Sequence, residues 1–148
     1  MRGPPRQGGP RRLECAIMIS PDHPLASWFL IIAGTLFLVV FAIPLLLMPL
    51  TWARWFGWRL PEGNNHLTVY FGRCLGAVAL AIILTAARFV SRPGPAIFDL
   101  IGWVCAGMVV VHTWGALKKA QPVSETVEIG FYAVVGVLAM WIRFNALS

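Results

Sequence analysis

Residues Leu25 to Leu50 read LASWFLIIAGTLFLVVFAIPLLLMPL, and this stretch decides the fold of the 148-residue chain. It contains no Asp, Glu, Lys or Arg. About 20 consecutive apolar residues are enough for an α-helix to cross the hydrocarbon of a bilayer. The stretch therefore predicts a transmembrane helix. Pro44 is expected to kink its last third, and Pro49 to end it.

The composition of the whole chain agrees with a membrane location. Hydrophobic residues make up 58% of the chain and charged residues 12%, and the mean hydropathy is +0.73. Soluble domains are more polar than this, so we predict an integral protein that has the lipid bilayer as its solvent. So short a chain has no room for a separate catalytic domain, and we do not expect an enzyme.

Three further apolar stretches follow the first, at residues 67–90, 96–117 and 124–146. Polar turns rich in Pro, Gly and Asn separate them. With residues 25–50, they predict an all-α fold: a polytopic transmembrane four-helix bundle that occupies residues 25–148.

The segment of residues 1–24 is basic and rich in Pro and Gly. It has too little apolar surface to offset the entropy of ordering, so we predict disorder there. Met18 offers an alternative start of translation.

The basic residues also bear on orientation. Seven lie on the side that holds the termini and the second loop, and five lie on the other side. The excess predicts cytoplasmic termini, whereas a start at Met18 would leave three against five and reverse the prediction. We expect the membrane to be a bacterial inner membrane, in keeping with the family resemblance described below. Because the basic residues lie in the tail or flank apolar runs, we do not expect nucleic-acid binding.

Residues 52–59, WARWFGWR, follow the first span. Aromatic rings and arginines concentrate at the headgroup level of a bilayer, so this segment predicts a short interfacial helix. Its expected anchors are at helical spacing: Trp52, Trp55, Phe56 and Arg59.

Antiparallel threading places the start of the second span, the end of the third and the start of the fourth on one side of the membrane. Their ionisable residues are Arg73, His112, Glu125 and Glu128. The expected depths of Arg73, His112 and Glu128 agree within about one helical turn, and Glu125 lies nearer the surface. Tyr132 shares one face of the fourth span with the two glutamates. Because a charge in hydrocarbon costs about 3 kcal/mol, we expect Arg73 to pair with Glu128.

This predicted cluster has two interpretations. The favoured one is an ion-paired clasp that fixes helix register. The other is a proton or small-anion site of a transporter or channel, with His112 exchanging a proton and Arg73 holding an anion. On the opposite side of the membrane, Asp99 is expected to pair with Arg88 or Arg92.

Cys105, Met108 and His112 share a face of the third span. Cys, Met and His are soft ligands that suit copper or haem, but the same residues are ordinary fillers of a helix interface. We favour the second interpretation and predict no cofactor. Gly72 and Gly76 form a small-xxx-small pair, which predicts that another helix approaches closely there.

Near the start of the second span the sequence reads Gly72-Arg73-Cys74-Leu75-Gly76-Ala77. With the compact four-span plan, these residues resemble the DoxX-like group of small bacterial membrane proteins over spans two to four. The resemblance implies association with membrane oxidoreductase complexes and assigns no catalytic residue.

The function that we favour from the sequence is therefore a non-catalytic accessory subunit. It would pack against another membrane protein or a second copy of itself. We expect the charge-free first span to face lipid or a partner on all sides, and the polar interior to lie among the other three spans.

Overall fold

The computed structural model describes residues 19–147, and every regular element in that part of the chain is helical. Four helices are long and apolar enough to cross a membrane: Pro24–Leu47, His66–Arg88, Pro95–Leu117 and Val123–Asn145. A short helix, Pro49–Trp55, links the first span to the second. The predicted all-α fold with four spans is confirmed, and the chain is an integral membrane protein.

The first span is interrupted by a π-helical turn over Leu38–Ala42. Pro44 has no N–H, and in a regular α-helix its ring would clash with the carbonyl of Val40. The wider turn accommodates the ring, and the carbonyl of Val40 accepts a hydrogen bond of 2.8 Å from the indole N–H of Trp52. The structure thus shows a π-helical turn just before Pro44, where the sequence predicted a kink, and the helix ends at Leu47, before Pro49.

The first span packs against the second along its length and also contacts the fourth. The expectation that it faces lipid or a partner on all sides is wrong. Hydropathy does not distinguish a helix that faces lipid from one that packs inside the bundle, because a protein core and lipid tails are equally apolar. Its buried residues are Ala26, Ser27, Leu30, Phe41, Ala42, Pro44 and Leu45.

The third and fourth spans pack against each other more extensively than any other pair. The main apolar core lies at one end of the bundle, where the first and third spans begin and the second and fourth end. Phe98 is fully buried there. Its other buried members are Ala26, Leu30, Ala86, Val90, Ile97, Ala139 and Ile142.

The second span is the most exposed of the four, with only Gly76 and Ala86 buried. A Cβ added at Gly76 would lie 2.5 Å from the backbone nitrogen of Leu46, and one added at Gly72 would lie 2.5 Å from Cβ of Pro49. The glycine pair therefore allows a close approach of the backbone. Gly76 packs against the end of the first span, and Gly72 packs against the start of the short helix.

The sequence predicts disorder over residues 1–24. Residues 1–18 of this segment lie outside the part of the chain that the structure describes. In the remainder, Ser20 is buried and its N–H donates to Oγ of Ser27 at 3.0 Å. The hydroxyl of Ser27 donates to the carbonyl of Val90 at 2.6 Å. These bonds tie the start of the first span to the end of the second.

The four predicted interfacial anchors divide into two pairs. Trp52 and Phe56 stack on each other at 4.4 Å and both contact the ring of Phe41 in the first span. Trp55 is 67% exposed, and Arg59 is also exposed. Only the second pair faces outward.

Candidate functional site

A buried cluster of ionisable side chains lies at the end of the bundle opposite the apolar core. Nδ1 of His112 is 3.3 Å from Oε2 of Glu125, and Nε2 of His112 is 3.8 Å from Oε2 of Glu128. All three residues are less than 10% exposed. We call these three residues the His-Glu cluster.

Local structure explains how the His-Glu cluster forms. Glu125 and Glu128 are one helical turn apart, so both project from the same face of the fourth span. A tight turn connects that span to the third, with Lys119 in the left-handed region at φ 53°. The turn returns the chain antiparallel, which sets the first turns of the fourth span beside His112, near the end of the third.

Tyr132 joins the His-Glu cluster from one turn deeper in the membrane. Its ring stacks on the imidazole of His112, with 5.4 Å between centroids and 16° between planes. Tyr132 is itself 3% exposed and contacts Phe37 of the first span. The imidazole is therefore held in orientation by aromatic packing.

Trp58, which the sequence interpretation did not select, also contacts the His-Glu cluster. Its indole N–H donates to Oε1 of Glu125 at 2.7 Å. Gly57 adopts φ 80° and ends the short helix in a left-handed turn, which directs Trp58 back toward the fourth span. Ser124 supports this contact by donating its hydroxyl to the carbonyl of Phe56. The sequence could indicate only that the indole N–H of a tryptophan needs an acceptor where it is buried, and not which acceptor Trp58 would find.

The structure does not bring Arg73 to the His-Glu cluster. Arg73 is exposed on the second span and makes no ion pair with residues 19–147. The predicted pair with Glu128 does not form, because the second span packs along the first and not beside the start of the fourth. Of the five residues predicted to cluster, the structure brings four together: His112, Glu125, Glu128 and Tyr132.

The predicted pairing of Asp99 is wrong. Nε of Arg143 lies 3.1 Å from Oδ1 and 3.3 Å from Oδ2 of Asp99. The third and fourth spans are antiparallel, so the start of one meets the end of the other. This geometry places Arg143 nearer to Asp99 than the expected partners, Arg88 and Arg92.

Two polar atoms of the His-Glu cluster lack a hydrogen-bond partner, although both are buried. They are Nε2 of His112 and Oε1 of Glu128. The two carboxylates are also without an arginine or lysine among residues 19–147. If both carboxyl groups are ionised, no cationic side chain of the described residues balances their charge.

The alternative interpretation of the third span grouped Cys105 and Met108 with His112 as soft ligands. One ligand atom from each member of the His-Glu cluster lies within 4.8 Å of the others, and Cys105 is not in this group. Cys105 is seven residues from His112, about 10 Å along the helix axis. It lines an apolar groove of about 570 Å³ between the third and fourth spans, together with Tyr132.

Comparison with known proteins finds no matching family model, no matching curated sequence and no matching solved structure.

Proposed function

We propose that this protein is an accessory subunit of a larger membrane assembly, in which its second span packs against a helix of another membrane protein. The observation that supports the proposal is the position of Arg73. It lies seven residues inside the second span, about 10 Å from the start of that helix, and its side chain is exposed. A charge in hydrocarbon costs about 3 kcal/mol unless it is paired or hydrated.

Residues 19–147 offer Arg73 no suitable partner. Three carboxylates lie within the spans, all on the third and fourth. Asp99 pairs with Arg143, and the other two belong to the His-Glu cluster. A second copy of the chain would bring the same engaged carboxylates, so a different protein with an acidic residue in a membrane helix is the better match.

The surface around Arg73 suits close helix packing. Ala77 and Ala81 follow it at intervals of four residues, so they lie on the same face, and both are exposed. Small side chains let two membrane helices approach closely, which strengthens an ion pair between them. The resemblance of spans two to four to DoxX-like proteins supports a membrane oxidoreductase as the assembly.

The test is purification of the tagged protein from its own host in mild detergent, followed by mass spectrometry. We expect one membrane protein at fixed stoichiometry, with Asp or Glu inside a span. Arg73→Leu should abolish its recovery, and Arg88→Leu, at the exposed end of the same span, should not. Arg73→Glu should regain the partner when the partner's acidic residue is changed to Arg. Unchanged recovery with Arg73→Leu would refute the proposal, as would a finding that Arg73 only retains phospholipid.

A second candidate function is cation transport, which the buried carboxylates of the fourth span favour. Ionisable groups inside membrane helices commonly mark ion pathways. The groove beyond Tyr132 is lined mainly by apolar residues, however, which gives a hydrated ion little to bind. Flux of a cation into liposomes that contain only this protein, lost in Glu128→Gln, would establish transport.

A further inference from the structure

We propose that the His-Glu cluster binds one divalent transition-metal cation, of the class that includes Zn²⁺, Mn²⁺ and Fe²⁺. The inference uses a different part of the molecule from the proposed partner surface and does not depend on it.

The spacing of the ligand atoms is close to that of a metal site. Nitrogen and oxygen ligands lie about 2.0 to 2.2 Å from Zn²⁺, so two ligands of a tetrahedral site are roughly 3.0 to 3.6 Å apart. One ligand atom from each of the three residues lies within 4.8 Å of the other two, which is up to about 1 to 2 Å wider than in such a site. The two nitrogens of one imidazole point away from each other, so only one of them can bind the ion. Nδ1 of His112 is 3.3 Å from Glu125, and Nε2 is 3.8 Å from Glu128. Rotation of the side chains would bring one imidazole nitrogen and both carboxylates onto one ion.

The unpartnered atoms distinguish a binding site from a structural clasp. Nε2 of His112 has no hydrogen-bond partner although the side chain is only 7% exposed, and it faces Glu128. Oε1 of Glu128 is unpartnered as well. Buried polar atoms without partners are rare, and each costs about 1 to 3 kcal/mol. A clasp selected for stability would satisfy both atoms, whereas a metal ion would use one or both of them.

The charge of the two carboxylates also favours a divalent cation as the ligand. Buried ions require compensation, and the His-Glu cluster holds two carboxylates with no Lys or Arg beside them in the part of the chain that the structure describes. A divalent cation would balance both carboxyl groups in the ionised form in which they bind metal. An imidazole completes the ligand set without adding charge.

The ligand types favour some metals over others. One imidazole and two carboxylates suit Zn²⁺, Mn²⁺ and Fe²⁺, whereas Mg²⁺ and Ca²⁺ prefer oxygen alone and Cu⁺ prefers sulfur. Trp58 fixes one oxygen of Glu125, and Tyr132 fixes the plane of the imidazole. Such supporting contacts orient the ligands of metal sites. Three protein ligands would leave at least one coordination position for water or another small ligand.

The experiment uses the full chain with a tag that contains no histidine, reconstituted in nanodiscs and treated with a chelator. Co²⁺ is the probe, because its visible absorption reports binding and coordination geometry. We expect one Co²⁺ per chain, displaced by Zn²⁺ and not by equal concentrations of Mg²⁺ or Ca²⁺. Zn K-edge absorption should show one imidazole, oxygen ligands and no sulfur.

Variants test which residues bind. Glu128→Gln keeps the size of the side chain and should weaken Co²⁺ binding about tenfold or more, as should His112→Gln. Glu62→Gln, in an exposed loop, and Cys105→Ser should bind like the unmodified protein. A folded, monodisperse protein that takes up no Co²⁺ would overturn the inference. Uptake that Glu128→Gln and His112→Gln leave unchanged, or uptake lost with Cys105→Ser, would overturn it equally.

Discussion

The indole N–H of Trp58 donates a 2.7 Å hydrogen bond to Oε1 of Glu125, across 67 residues of sequence. This bond joins the segment after the short helix to the start of the fourth span. It is also one of the few contacts that satisfy a buried carboxylate in this protein.

Replacing Trp58 by Phe removes that donor and keeps an aromatic ring. The buried oxygen of Glu125 then loses its partner, so we expect the free energy of unfolding to fall by about 1 to 3 kcal/mol. Unfolding by denaturing detergent, followed by circular dichroism, measures the change. Trp55→Phe is the control, because Trp55 is 67% exposed and makes no such bond. Equal losses for the two variants would mean that the bond contributes nothing specific.

The ion pair of Asp99 with Arg143 should appear as a coupling energy. Asp99→Asn and Arg143→Gln are each expected to destabilise the bundle, and the double variant less than their sum. The side chains of Arg143 and Asp99 are 28% and 40% exposed, so we expect a coupling of only about 0.5 to 1 kcal/mol. A matched double-mutant cycle of Asp99 with Arg88 should give no coupling energy. If the Arg88 cycle couples and the Arg143 cycle does not, the observed pairing is refuted.

Gly76→Ala tests the contact between the first and second spans. The added Cβ would lie 2.5 Å from the nitrogen and 2.9 Å from Cα of Leu46, and backbone atoms cannot rotate away. The helices must separate, and we expect a loss of about 1 to 3 kcal/mol. Gly130→Ala in the fourth span is the control, because nothing lies within 4 Å of its added Cβ. A Gly76→Ala variant as stable as the Gly130→Ala variant would contradict the close approach.

Ser27→Ala tests the polar contact between the start of the first span and Val90, just after the second span. The hydroxyl of Ser27 is fully buried and donates to the carbonyl of Val90, and the N–H of Ser20 depends on it as an acceptor. We expect the unfolding free energy to fall by about 1 to 3 kcal/mol, since two buried groups lose their partner. Thr85→Val is the comparison, because the hydroxyl of Thr85 is exposed and bonds only within its own helix. Hydrogen exchange at Ser20 should also become faster in Ser27→Ala and stay unchanged in Thr85→Val.

Hydropathy and helical spacing were enough to predict the spans and much of the His-Glu cluster. The intervals of three and seven residues place Glu125, Glu128 and Tyr132 on one face of any helix. Because consecutive spans alternate in direction, His112 lies on the same side of the membrane as that face. Its contact with the glutamates also requires that the third and fourth spans are neighbours, which they are.

The choice of neighbours could not be predicted. Lipid and protein interior are equally apolar, so the sequence does not show that the second span packs along the first and leaves Arg73 outside the His-Glu cluster. Trp58 was missed for another reason. Its position depends on the left-handed backbone at Gly57, and glycine permits that conformation without requiring it.

The partnership of the third and fourth spans has a consequence for how the protein enters the membrane. Asp99 and His112 lie in the third span, but their charged neighbours lie in the fourth. Until the fourth span is made, the third would expose both side chains to lipid. The two helices are therefore expected to leave the translocon together as a hairpin. A chain truncated after Leu117 should insert its last helix poorly, as measured by the accessibility of an engineered site at its new end.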